Sequence, residues 1–387
     1  MSSFAGIADD LAAFRRFLDE EDIDWTSFPQ HKLSRPTYRF SGHLRVAVGA
    51  GEVKQTTAKR RMSSVMGFYT WLMEEGALFP DYAPWQSKDR YLQLKNNRGF
   101  VFSKKVQVTD IGLKVAKSVD PYAGTINDGG ELRPLPLEEQ IWLMEALFKS
   151  GNTEMTLIHL MGLLTGARIQ TILTFQVRHV SEGIDEQDSD EIRLPVGPGT
   201  GIDTKDDKSM VLFIPRWFRE VLRTYAFSER AKKRRRRATG GDTADQYLFL
   251  SIRGAPLYQS KKDSAVFDDS NELHHQKSGQ GVRQFKRERV LPYIRKCHSA
   301  TFKYRFHDTR ATYGMNLTDF QLQRVARGEI TLHEAREFVR VRMGHESAAT
   351  TDLYLKYRNN LKMVRKVAQD YNAHLQSLAN QALKGIQ

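Results

Sequence analysis

The chain is 387 residues long and carries 59 lysines and arginines against 46 aspartates and glutamates, a formal net charge of +13. Hydrophobic residues make up 40% and charged residues 27%, enough apolar mass for two or three cores, which excludes a wholly disordered chain. No apolar run reaches the roughly 20 residues needed to cross a bilayer, Asp9 and Asp10 stand where an export signal would be apolar, and a single cysteine, Cys297, excludes an internal disulfide framework or a Cys-rich zinc site. The expectation is a cytoplasmic protein without a membrane partner. A pI near 9.6 points to a polyanionic partner, most simply nucleic acid.

Phe4, Ile7, Leu11, Phe14, Phe17 and Leu18 recur at helical spacing. Met62, Val65, Phe68, Tyr69, Leu72 and Met73 do so again, with Gly76 as a stop. Residues 91–94, 96–99 and 100–102 read as strand, turn and strand, a hairpin within 91–115. These elements predict a helical domain over 1–120. Residues 121–135, rich in Gly, Pro and Asp, lack apolar periodicity and read as an interdomain linker.

The second domain is predicted over 136–387. A helix starts near Pro136, with Leu137, Ile141, Met144 and Phe148 on one face and Glu138 and Glu139 in its first turn. Helical segments follow near 153–164 and 168–177, then an acidic loop over 185–191. Two strand-like pieces, 192–194 and 210–214, are joined by a glycine-rich turn, and a helix covers roughly 216–229. From about 283 the pattern is mostly helical. It closes on a tail with Val364, Val367, Ala368, Tyr371, Leu375, Leu378 and Ala382 at helical spacing. There are no internal repeats. The predicted class is mainly α with a small β-sheet (α+β).

Several chemistries lack their motifs. There is no GxxxxGK[ST] loop for a nucleotide-driven motor. Gly197-Pro-Gly-Thr-Gly201 reads as a hairpin turn. The acid cluster over 185–191 has the composition of a solvated loop, and the histidines show no HExxH spacing, so no metal or cofactor is expected.

The informative residues are cationic. Arg168 follows a tight Gly166 turn after an apolar helix and stands at the start of the next one, where backbone N–H groups also favour an anion. His307 and Arg310 are three apart, so on a helix both heads reach one phosphate. Gly344 permits a turn before His345, and Tyr354 lies nine residues on, with Ser347 and Thr350 as capping hydroxyls between them. Tyr357 is its nearest rival as a reactive phenol. Each pattern alone also fits a surface arginine, a chance pairing or a core aromatic.

Taken in order, the motifs resemble one family. "TGAR" ending at Arg168, a hairpin lysine, "HDTRAT" from His307 and "MGHESAATTDLY" ending at Tyr354 are similar to the tyrosine recombinases, also called phage-type integrases. Residues 133–358 carry the likeness, "YLFLSIRGAPL" over 247–257 is in keeping, and 56–76 is similar to that family's core-binding domain. The resemblance implies a helical core-binding domain followed by a catalytic domain with a C-terminal tail helix.

It also implies a site-specific DNA recombinase or integrase that breaks and rejoins DNA without ATP or metal. Tyr354 would be the nucleophile, forming a 3′-phosphotyrosine and releasing a 5′-hydroxyl. Arg168 and Arg310 would hold the phosphate by forked hydrogen bonds, and His345 would add another. His307 would move the tyrosine proton. A hairpin lysine would protonate the leaving oxygen. Lys205 fits best and Lys208 is the runner-up, with Asp203, Asp206 and Asp207 close by to raise the lysine pKa. Thr171 departs from the family, which commonly has glutamate there. The partner would be double-stranded DNA, bound by a homotetramer whose C-terminal helix either packs on its own domain or is exchanged with a neighbouring protomer.

The alternatives are a type IB topoisomerase-like relaxing enzyme and a DNA-binding regulator that has lost cleavage. Lys54, Lys59, Arg60 and Arg61 at the start of the Met62 helix either bind DNA phosphates or cap a solvated helix end. The run 232–237 is expected to be a mobile loop, adding salt-sensitive affinity, merely solvated, or serving as a nuclear-import signal.

Overall fold

The computed structural model describes residues 2–95, 101–113, 124–181, 190–260 and 278–359. It is mostly helical, and its strands form three two-stranded antiparallel sheets. Two compact units divide the chain, Met1–Val119 and Asp120–Gln387.

In the first unit α1 (Ser2–Glu20), α2 (Pro36–Gly49) and α3 (Gln55–Glu74) enclose one core. Ala58, Met62, Val65, Tyr69 and Leu72 are buried along α3, a run of three- and four-residue steps that puts them on one stripe. Phe14 and Phe17 from α1 meet Phe40 of α2 at ring separations of 4.9 and 5.3 Å. Burying such side chains stabilises the unit by about 1.5–3 kcal/mol each. Strand β1 (Ser87–Lys95) pairs with β2 (Val101–Thr109) in the register Ser87↔Thr109 to Lys95↔Val101. The ribbon thus begins four residues before the predicted strand. Its turn, 96–99, lies outside the described residues.

The second unit opens on a hairpin, β3 (Ile126–Asn127) against β4 (Glu131–Leu132). Composition predicted a linker here, yet Ile126, Asp128, Leu132 and Leu135 are all buried. The segment is held from outside itself. The Arg133 N–H donates to Asp308 (3.0 Å) and the Leu135 N–H to the Thr312 hydroxyl (2.9 Å).

Helix α4 (Leu137–Lys149) forms where predicted but turns its other face inward. Leu143, Ala146 and Leu147 are buried, whereas Leu137, Ile141 and Phe148 are exposed. Then come α5 (Thr153–Thr165), α6 (Ile169–Leu173), α7 (Arg178–Ser181) and the hairpin β5 (Glu191–Val196) with β6 (Met210–Pro215). The segment predicted helical to 177 ends at Leu173, where the chain leaves for a bridge between Gln176 and Tyr247.

After α8 (Arg216–Phe227), α9 (Glu229–Arg235) overturns the expectation of a mobile basic loop. Buried Glu154 draws in Arg230 and Arg234, Arg235 is itself buried against Asp242, and Arg237 donates to the Ile252 carbonyl. Within the run Arg234 and Arg235 are spent on packing, while Lys233, Arg236 and Arg237 stay exposed. Helices α10 (Gln280–Phe285), α11 (Leu291–Cys297), α12 (Asp308–Ala326) and α13 (Leu332–Met343) follow, with further helix over 348–359. The predicted tail helix, 364–382, lies outside the described residues. No helix among the described residues is long and apolar enough to cross a membrane.

Candidate active site

The site forms where the second unit gathers the turn after α5, the start of α12, the end of α13 and the helix over 348–359. Gly166 caps α5 in the left-handed conformation (φ 65°), where a β-carbon would stand 2.5 Å from the Tyr313 ring. The turn can therefore be this tight only with glycine. It delivers Arg168 to the N-cap of α6. His307 stands at the N-cap of α12, and Arg310 follows one turn later. Gly344 ends α13 at φ 62° and releases His345. The Ser347 hydroxyl accepts from the Ala349 N–H at the start of the last helix, which carries Tyr354.

Arg310 is buried, and each nitrogen of its guanidinium makes one hydrogen bond. It donates from Nε to Asp128 (2.9 Å), from Nη1 to the Gly166 carbonyl (3.0 Å) and from Nη2 to the Met343 carbonyl (2.7 Å). One side chain thus ties the arginine turn to the histidine turn. His345 is buried too. Its Nδ1 meets the Thr351 hydroxyl at 2.9 Å, and its Nε2 meets Asp128 Oδ2 at 3.2 Å. A carboxylate oxygen only accepts, so Nε2 carries the proton in that bond. Tyr354 is fully buried and donates its hydroxyl to the same oxygen at 3.1 Å. A β-carbon on Gly314 of α12 would meet the Tyr354 ring at 2.5 Å, so glycine makes the space the phenol fills.

One oxygen, Asp128 Oδ2, therefore accepts from a guanidinium, an imidazole and a phenol. Burial pushes the Asp128 carboxyl up, but the His345 hydrogen bond and the charges of Arg310, His345 and Arg168 outweigh it and hold it well below its ordinary value. Burial and the Asp128 charge push the Tyr354 phenol well above 10, against the pull of Arg310 and Arg168. Burial, then repulsion from Arg168 and Arg310, lowers the His307 imidazole to about 4, which leaves it neutral at pH 7.

Arg168 lies beside this cluster. Burial and the Arg310 charge lower its pKa. Its buried Nε has no hydrogen-bond partner among the described residues. At the hairpin tip, a β-carbon on Gly129 would stand 3.5 Å from Arg168 Nη2 and 3.8 Å from Lys205 Nζ, so both cations face the same glycine. Lys208 is engaged elsewhere, donating to the Gly344 carbonyl (2.7 Å) and pairing with Glu346 (3.1 Å). Thr171 is buried in α6.

Of the sequence-predicted site residues, the structure brings Arg168, Lys205, His307, Arg310, His345 and Tyr354 to one locality. Asp128 was missed. The run Asn127-Asp128-Gly129-Gly130 between Ile126 and Leu132 carries a hairpin signal that could have found the turn. No local signal could have given the carboxylate its partners. Thr351 was missed as well. In the first unit Arg60 pairs with buried Asp10 (3.0 Å) and donates to the Gly6 carbonyl, while Lys54 and Lys59 are exposed and Arg61 is half-buried.

Residues 7–76 match the family model of the phage integrase N-terminal SAM-like domain. Among solved structures, the chain is similar to the XerH site-specific recombinase bound to palindromic difH substrate, a post-cleavage complex, at 14% identity and a TM-score of 0.48, over 86% of this chain and 72% of that one. It is also similar to a lambda integrase dimer bound to a COC′ core site (14%, TM-score 0.46, 92% and 88%). A third is the Tn1549 transposon integrase in complex with circular intermediate DNA (14%, TM-score 0.42, 88% and 85%). No curated protein matches.

Proposed function

We propose that the chain is a site-specific DNA recombinase of the tyrosine recombinase type, cutting and rejoining DNA through a 3′-phosphotyrosine without ATP or metal. The observation that carries this reading is the single anionic oxygen met at 2.9–3.2 Å by Arg310, His345 and Tyr354. A nonbridging phosphate oxygen has the same charge and accepts the same bonds. Arg168, with its orphaned Nε beside that point, supplies the second guanidinium. Such preorganised donors stabilise charge that grows as a phosphate is attacked.

The reaction balances on these side chains. The Tyr354 oxygen bonds to phosphorus as the bond to the 5′-oxygen breaks. The phenol proton needs an acceptor, because burial raises its pKa. His307 is neutral at pH 7 and so free to accept it, and a bound phosphate would offset the Arg168 and Arg310 charges that lower its imidazole. Lys205 gives a proton to the departing 5′-oxygen. It is preferred over Lys208, whose ammonium is held by Gly344 and Glu346. The phosphodiester energy stays in the phosphotyrosine, so the reverse attack by a 5′-hydroxyl reseals the strand.

Exchange between two duplexes needs four such sites, hence a homotetramer on double-stranded DNA, with segment 364–382 as the helix exchanged between protomers. Lys54, Lys59 and Arg61 are assigned to DNA phosphates; Arg60 contributes less, since Asp10 already neutralises it.

The test uses duplex DNA identified by footprinting around the protein's own gene and nicked beside the cut. Wild type should form an adduct stable on an SDS gel, and Tyr354→Phe should bind the DNA without one. Binding without any adduct from wild type would favour a silent regulator. Plasmid relaxation without recombination of two sites would favour a topoisomerase.

A further inference from the structure

Asp128 has no part in the reaction above, yet it sits where the reaction would occur. An acid at the focus of Arg168, His307, Arg310 and His345 is the wrong charge for a site that must admit a phosphodiester. We infer that Asp128 is an internal pseudosubstrate: the hairpin Ile126–Leu132 lays its carboxylate on the position of the scissile phosphate, and cleavage requires that hairpin to withdraw. The inference rests on reading the site as a phosphodiester pocket.

Occupancy comes first. Asp128 is 4% exposed, and its Oδ2 already takes the donors of Arg310, His345 and Tyr354. A phosphate oxygen cannot reach those donors while the carboxylate holds them. Placing it alongside would set two anions in contact inside a buried site, where like charges exclude one another. The nucleophile is restrained as well. The Tyr354 hydroxyl spends its only proton on Asp128, which stabilises the phenol against the ionisation that attack demands.

The hairpin is built to be moved. Its ladder has only two residue pairs, Ile126↔Leu132 and Asn127↔Glu131. Its tip is Gly129 and Gly130 at φ 69° and 148°; the first conformation favours glycine and the second suits glycine alone. So short a ladder holds the hairpin weakly by itself; what seats it is buried Ile126 and the three bonds to Asp128, whose donors a phosphate would take over. The downstream side is fixed, through Arg133 to Asp308 and Leu135 to Thr312. Withdrawal therefore pivots near Leu132 and lifts Ile126, Asp128 and Gly129 together. It would uncover Arg168 and Lys205, which face Gly129.

The alternative use of the same residue is permanent: Asp128 orients Arg310 and His345 and stays while phosphate binds beside it. The two uses predict opposite results for Asp128→Asn, which keeps the shape and removes the charge. By calorimetry at neutral pH, Asp128→Asn should bind inorganic phosphate at least tenfold more tightly than wild type. With the nicked duplex it should form the covalent adduct at least tenfold faster. Equal or weaker phosphate binding, or a slower adduct, would overturn the pseudosubstrate and leave Asp128 as a positioning residue.

Should the substitution unfold the chain, wild type gives a second measurement. Hydrogen exchange at the amides of residues 126–132 should quicken when concentrated inorganic phosphate is added, and unchanged protection would overturn the inference. The two proposals fail separately. Tighter phosphate binding with no adduct from any variant would retain the self-occupied anion pocket and refute the recombinase.

Discussion

Gly314→Ala sets two physical effects against each other. Gly314 lies inside α12, where alanine is favoured over glycine by about 1 kcal/mol. The new methyl would stand 2.5 Å from Tyr354 Cε1, 2.9 Å from Met343 Cε and 3.0 Å from Tyr354 Cζ. Tyr354 is fully buried and pinned through its hydroxyl, so its ring has little room to retreat. Overpacking of this kind costs about 1–3 kcal/mol, and the upper part of that range applies. The net change is a loss of about 1–2 kcal/mol, a fall in melting temperature of about 2–8 °C for a unit of this size. Displacing the phenol by even 1 Å costs about 10²-fold in reactivity, so adduct formation should fall by about that factor. Gly67→Ala is the control: it lies in α3, with no atom within 4 Å of the new carbon. It should show the propensity gain alone. If Gly314→Ala raised the melting temperature as Gly67→Ala does, and left the adduct rate unchanged, the placement of Tyr354 against α12 would be refuted.

Arg310→Ala should cost about 2–4 kcal/mol of transition-state stabilisation, by analogy with losing one oxyanion donor. It should also lower the melting temperature, because Gly166 and Met343 lose their shared donor; an unchanged cleavage rate would remove Arg310 from the site. Lys205→Ala should be rescued by DNA with a 5′-sulfur leaving group, which needs no proton; rescue of Lys208→Ala instead would exchange their roles. His159 is fully buried between the Met155 carbonyl (2.7 Å) and the Tyr304 hydroxyl (3.0 Å), and burial lowers its imidazole to about 4. The unfolded chain takes up that proton near pH 6.5 and the folded chain only near 4, so stability is lost as pH falls through this window, by up to about 3 kcal/mol. Urea midpoints of His159→Asn should fall less than those of wild type between pH 6.5 and 4; parallel curves would contradict this.

The stripe along α3 was legible because its partners repeat at one helical spacing, and the opposite face offers only the lone Trp71, too little to form a second stripe. On α4 apolar residues lie on both faces, Ile141 and Phe148 on one and Leu143 and Leu147 on the other, and the helix itself does not say which meets the core. The basic run became a packed helix because its counter-charges, Glu154 and Asp242, come from other segments. The residues gathered at the candidate site were legible through motif order: Arg168 and His345 come just after glycine turns, and His307 opens a helix. What remained hidden was long-range. Asp128 meets Arg310, His345 and Tyr354 from across the unit, and the choice between Lys205 and Lys208 turns on Gly129 and Gly344, which lie in segments remote from the lysines.

The most direct test of the account is chemical mapping of the covalent bond. Adduct trapped on the nicked duplex is trimmed with nuclease and protease and read by tandem mass spectrometry. The phosphonucleotide should sit on Tyr354. Attachment at Tyr357 or at any other residue would contradict the site described here.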